Sequence, residues 1–117
     1  MISFSMDKWK VIYYVSARGD NPVKTFLDAL PKAKLKAFRI FSNIEEYGLT
    51  SVIPHLKKLP GTPFWEIRIL GRDNVRIFYV TQKEKQILLL HAFTKKTNKT
   101  PTKEIKIAEA RLNEIGS

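Results

Sequence analysis

Three apolar, strand-like segments separated only by short turns constrain this chain more than anything else in it. Residues 65–69 (Trp-Glu-Ile-Arg-Ile) alternate large apolar and charged side chains. Residues 75–80 (Val-Arg-Ile-Phe-Tyr-Val) follow the turn Gly71-Arg72-Asp73-Asn74, and residues 87–93, the most apolar stretch, follow the polar turn 82–86. A parallel return between strands needs a crossover of about a dozen residues or more, so segments this close can pair only as antiparallel neighbours. The economical arrangement is a three-stranded antiparallel meander, with residues 87–93 expected at its centre.

The flanking segments add helices. Residues 10–15 are β-branched and aromatic and read as a first strand, broken at Gly19-Asp20. Asn21 is placed to cap a helix and Pro22 to occupy its first turn, with Val23, Phe26, Leu27 and Leu30 at helical spacing over residues 22–30. Pro31 separates a second helix over residues 32–47, where Leu35, Phe38, Phe41, Ile44 and Tyr47 form a stripe expected to enter the core and Gly48 ends the helix. Residues 55–61 read as a loop, 94–100 as a basic Thr-rich loop, and 102–115 as a last helix with Ile105, Ala108, Leu112 and Ile115 on one side. The order β-αα-βββ-α is that of an α+β domain with helices packed on an antiparallel sheet. A chain of 117 residues fits one such domain, residues 1–117.

Several function classes are poorly supplied. The chain has no Cys, which removes disulfides, thiolate metal sites and thiol nucleophiles. His55 and His91 are the only histidines and neither has an acidic cluster beside it, so no metal site is expected. The glycines near the sheet stand alone rather than in a phosphate loop, and no cofactor is called for. No secretory leader or membrane span is recognisable, so a cytoplasmic protein is expected.

Charge points toward a partner. The formal net charge is +10, and residues 57–106 hold twelve Lys/Arg against four acids. Such a field favours phosphate-rich or acidic partners. Within it, Glu66 and Arg68 share one strand face, and Arg76, Phe78 and Val80 share another. If those strands pair through the turn at 71–74, Arg68 and Arg76 stand side by side as a bidentate phosphate clamp. His91 and Phe93 point the same way from the next strand. A histidine near neutral pKa can move a proton and an aromatic ring can stack a base. Lys95 and Lys96 follow at once, with Lys99 beyond, and Lys57 and Lys58 extend the basic rim.

The combination His55-Leu56-Lys57-Lys58-Leu59-Pro60-Gly61, Phe64-Trp65-Glu66-Ile67-Arg68, Val75-Arg76-Ile77-Phe78-Tyr79 and Leu90-His91-Ala92-Phe93-Thr94-Lys95-Lys96-Thr97-Asn98-Lys99-Thr100-Pro101 resembles the phage-derived, HigB-type branch of the RelE/ParE toxin superfamily. The resemblance runs over about residues 10–115. It implies a RelE-like fold and the toxin of a type II toxin–antitoxin system, cutting messenger RNA on the ribosome without a metal by 2′-hydroxyl attack. It further implies a cognate antitoxin, in this branch usually a helix-turn-helix protein. By position it matches Arg68, Arg76, His91 and the Lys95-Lys96 segment to the family's basic site; together with the rim and the ring read above, catalysis is expected of Arg68, Arg76, His91 and Lys95, and RNA binding of Lys57, Lys58, Phe93, Lys96 and Lys99. Two departures stand out: Glu66 occupies the place of a RelE lysine, and the last helix carries no Tyr. Two other readings fit the same chain, a ParE-like gyrase poison that cuts nothing and a non-catalytic RNA- or partner-binding module.

Overall fold

The computed structural model describes residues 8–116. Its elements are β1 (Lys10–Tyr13), α1 (Pro22–Asp28), α2 (Pro31–Tyr47), a 3-10 segment (Leu49–His55), β2 (Leu56–Lys58), β3 (Trp65–Ile69), β4 (Val75–Gln82), β5 (Gln86–Thr94) and α3 (Thr102–Gly116). The fold class is the expected α+β, with helices on a sheet. The expected helical starts form for the expected reasons: the Asn21 Oδ1 accepts from the Lys24 N–H at 3.2 Å, and Pro22 and Pro31 open their helices where no N–H is needed. At the far end of α2, Gly48 adopts φ +93 and its N–H donates to the Ile44 carbonyl.

The sheet is larger than a meander. Among the described residues, five strands lie in the order β1-β5-β4-β3-β2, with β1 parallel to β5 and the other pairings antiparallel. The central strand is therefore β4, not residues 87–93, and residues 56–58, read as loop, form the edge strand β2.

Both sheet faces are covered. On one, Ala37, Ile40, Phe41 and Ile44 of α2 and Val23 and Leu27 of α1 pack on Ile67, Ile69, Ile77 and Leu89. On the other, Ala108 of α3 covers Leu88, Leu90 and Phe93, beside Phe64 and Phe78. A strand buried on both sides has no reason to alternate, which is why residues 87–93 are apolar throughout. Each fully buried aromatic or aliphatic side chain of these layers contributes ~1.5–3 kcal/mol by leaving water.

Two side chains move from their expected places as a result. Phe93, expected as an exposed base-stacking ring, is 5% exposed and belongs to the core beneath α3. Phe38, expected in the core, is 43% exposed, and Leu35 and Tyr47 of the same stripe are exposed too. The sheet accepts instead the helix face carrying Ala33, Ala37, Ile40, Phe41 and Ile44, where two alanines let α2 approach closely.

Candidate functional site

The face of the sheet shared with α3 carries the polar residues, and strand register orders them into two rows. Arg68 of β3 lies directly opposite Arg76 of β4, which lies opposite Phe93 of β5. In the adjoining row Lys57 of β2 faces Glu66, Glu66 faces Phe78, and Phe78 faces His91. A register shift after Phe78 leaves Leu90 unopposed, so Leu90 and His91 both turn toward the α3 layer. The bulge thereby places a histidine at the end of a row that runs from a lysine through a carboxylate and an aromatic ring.

Two arginines directly opposed repel each other, and a carboxylate offsets this. Glu66 is 1% exposed, and its Oε1 lies 3.4 Å from the Nε of Arg76. Arg76 is itself 8% exposed, not the surface strand residue its alternation promised. Its Nη1 donates to Asn74 Oδ1 at 2.9 Å and to the Val75 carbonyl at 3.3 Å. Burial depresses the Arg76 pKa first of all, Glu66 opposes that change and Arg68 adds to it. An arginine remains a cation through such a shift. Glu66 Oε1, Arg68 Nε and Arg76 Nε are buried without a hydrogen-bond partner among the described residues, so the pair at 3.4 Å is close in charge but not aligned as a hydrogen bond. Buried polar groups are normally satisfied, so three atoms without a partner among the described residues set this cluster apart from the rest of the sheet.

Asn74 links this cluster to the basic segment. It sits at φ +47, a conformation Asn tolerates well, in the turn between β3 and β4. Its Nδ2 donates to the Lys95 carbonyl at 2.8 Å, and the Lys95 N–H donates to its carbonyl at 3.0 Å. One side chain thus fixes both the Arg76 guanidinium and the backbone from which Lys95 and Lys96 project.

His91 is held at both ring nitrogens. Nε2 lies 2.6 Å from Glu104 Oε1, and Nδ1 lies 3.2 Å from Arg111 Nη1, which also donates to the Leu90 carbonyl at 2.8 Å. These partners select the neutral tautomer with its proton on Nε2, since Arg111 can only donate. The ring stacks on Phe93 at 5.5 Å, and the Arg111 guanidinium lies over the Tyr14 ring at 5.4 Å. Burial lowers the His91 pKa, the Glu104 hydrogen bond raises it and Arg111 lowers it, with a net shift downward from 6.5. The folded state therefore takes up a proton less readily than the unfolded state. Stability tied to neutral His91 is complete above the unfolded value of about 6.5 and is lost as pH falls through the depressed folded value. His91→Gln should accordingly shrink the drop in melting temperature between pH 7 and 5. An unchanged slope would contradict a buried neutral ring.

The other expected residues are more dispersed. Lys57 is exposed on β2, and Lys96 and Lys99 are exposed beyond β5. Lys58 turns back on its own loop, where its Nζ reaches the carbonyls of Leu59 and Thr62. Sequence reasoning missed Asn74, Glu104 and Arg111 altogether and treated Glu66 only as a departure. The available signal for Glu66 was its place on the same alternating face as Arg68; nothing local marked the other three. Among the described residues no group of three His, Asp or Glu side chains could hold a metal ion, and no helix is long and apolar enough to cross a membrane.

The sheet of this small, basic α+β domain carries two directly opposed arginines beside a buried carboxylate. The chain belongs to the phage-derived Gp49-like protein family, whose profile matches residues 25–113. That family is RelE/ParE-like and falls among the toxins of toxin–antitoxin systems. A comparison with curated proteins returned no match.

Proposed function

We propose that this protein is a HigB-type toxin that cuts messenger RNA on the ribosome by attack of a ribose 2′-hydroxyl on the adjacent phosphodiester. The observation that carries the reading is the direct opposition of Arg68 and Arg76 on one sheet face, with Glu66 buried beside them. The Glu66 carboxylate accepts the 2′-hydroxyl proton; the 2′-oxygen bonds to phosphorus and the bond to the 5′-oxygen breaks. The two guanidinium groups meet the charge that builds on the non-bridging oxygens. Lys95, whose backbone is fixed through Asn74, neutralises the leaving 5′-oxygen, while Lys57, Lys96 and Lys99 hold neighbouring phosphates and Lys58, turned onto its own loop, adds only its charge. His91 belongs to this proposal as a proton carrier only when Arg111 moves off its Nδ1; in the closed arrangement it braces Phe93 and α3. Glu66 and Arg76 are both nearly enclosed, so RNA reaches the cluster from the more open Arg68 side. No metal enters this scheme. The proposed partners are a translated message in the cytoplasm and a cognate antitoxin, in this reading a helix-turn-helix protein.

The test is cutting of a defined message by the purified chain, with and without ribosomes. Cleavage is expected only on translated message, and chain freed of bound metal with EDTA and desalted before it meets the ribosome should cut as well as untreated chain. Loss of cutting in the chelator-treated chain, restored by an added metal ion, would overturn the proposed chemistry.

A further inference from the structure

The outer side of α2 is left without a structural role by the packing described above. Leu35 is 55% exposed, Phe38 43% and, across a cleft at the end of β3, Leu70 59%. The cleft has a volume of about 410 Å³, with Ile40 and Ile69 in its lining and Lys36, Arg39 and His55 around it. A second hollow of similar volume adjoins it through Arg39 and Asn43 and is bounded by Leu35 and Phe38. Lys36 is held at the edge, its Nζ 2.9 Å from the Leu70 carbonyl, and Gly71 makes that approach possible, because a Cβ there would come within 2.6 Å of the amine. No acidic residue occurs between Asp28 and Glu45, so the outward length of the helix up to there carries no negative charge.

We infer that this surface docks an acidic amphipathic helix of a partner protein, which under the toxin reading above is the antitoxin. Complementarity argues for that occupant. Leu35, Phe38 and Ser42 lie at helical spacing and cover about 10 Å of helix axis, the length over which a partner helix laid alongside seats two apolar side chains. Carboxylates flanking those side chains would meet Lys32, Lys36 and Arg39. An RNA backbone would use the same cations but gain nothing from Leu35 and Leu70, which phosphates and riboses do not bury. The surface lies on the opposite side of the sheet from Arg68 and Arg76, because α2 packs against the face carrying Ile67, Ile69 and Ile77. A helix docked there leaves the arginine pair open and silences the toxin by bulk, keeping it out of the ribosome.

The experiment uses the protein encoded beside this chain on the same transcript, purified, and measures its affinity for the full chain by calorimetry. Two double variants are compared, Leu35→Glu with Phe38→Glu and Lys36→Glu with Arg39→Glu, each with its melting curve and its RNA cutting in the absence of partner. Both pairs should weaken binding by at least about 100-fold, the scale of a lost interface anchor, while melting and cutting stay as in the parent. Parental affinity in both would overturn the docking face and leave the toxin reading standing. If only the charge-reversed pair fails, and fails in ribosome binding rather than partner binding, the surface is an RNA contact and the inference is wrong. Failure of the neighbouring protein to bind the unmodified chain would remove the antitoxin pairing, and the toxin reading would fall with the inference.

Discussion

Arg76→Ala should cost this protein about 3–5 kcal/mol of stability, because it leaves the Glu66 carboxylate buried without its cation. That is a large part of the ~5–15 kcal/mol that holds a domain of this kind together, and it should lower the melting temperature on the order of 10–20 °C. The identity of the cause is checked by a second change. Arg76→Ala combined with Glu66→Gln removes the stranded charge and should recover much of the loss, while neither protein recovers RNA cutting. Thermal melting by circular dichroism reads both outcomes. A melting temperature for Arg76→Ala within about 2 °C of the parent would mean that the pair is not buried in solution. The same variant cannot be read as a catalytic change alone, since a drop in cutting will mix lost chemistry with lost fold.

Arg68→Ala isolates the chemistry. Arg68 stands opposite Arg76 but is only partly buried and makes no ion pair among the described residues. Removing it relieves a like-charge contact, so the fold should melt at the parental temperature or slightly above. Cutting should nevertheless fall by about 10²–10³-fold, the usual loss when one fixed donor to transition-state charge is removed. Arg68→Lys should return part of it, because the charge remains and the bidentate geometry does not. Cutting by Arg68→Ala within a few-fold of the parent would leave the arginine pair without a role in the reaction.

The parts of this account that were legible in the sequence are those set by local chemistry. Asn21-Pro22, Pro31 and Gly48 bound the two helices because capping and φ restrictions act over a few residues. The turn at 71–74 fixed the pairing of Arg68 with Arg76 because a hairpin this tight leaves little choice of register. Contacts distant in sequence were not legible. The strand β2 is three residues long, lies on an edge and carries two lysines, so its own residues give no strand signal; only β3 calls it into the sheet. The same holds for α2, where the large residues Leu35 and Phe38 outweighed Ala33 and Ala37 in the pattern although close packing on the sheet favours the small ones. Burial of Arg76, Glu66 and Phe93 depends on α3 and the loop before β3 folding over a face that alternation alone assigns to solvent. His91 was visible as a titratable group beside cations, but its partners Glu104 and Arg111 lie on a helix whose placement over β5 is a tertiary fact.

If this fold turns a ribose 2′-hydroxyl into the nucleophile that breaks a message, the nucleotide on the 5′ side of the cut must carry that hydroxyl. The most direct test maps the principal cut in a translated message and then replaces the single nucleotide on its 5′ side with the 2′-deoxy form. The parental message should yield an upstream fragment that ends in a cyclic phosphate or its opened product, and the deoxy message should remain whole at that site. Equal cutting of both messages at the same position would contradict 2′-hydroxyl attack.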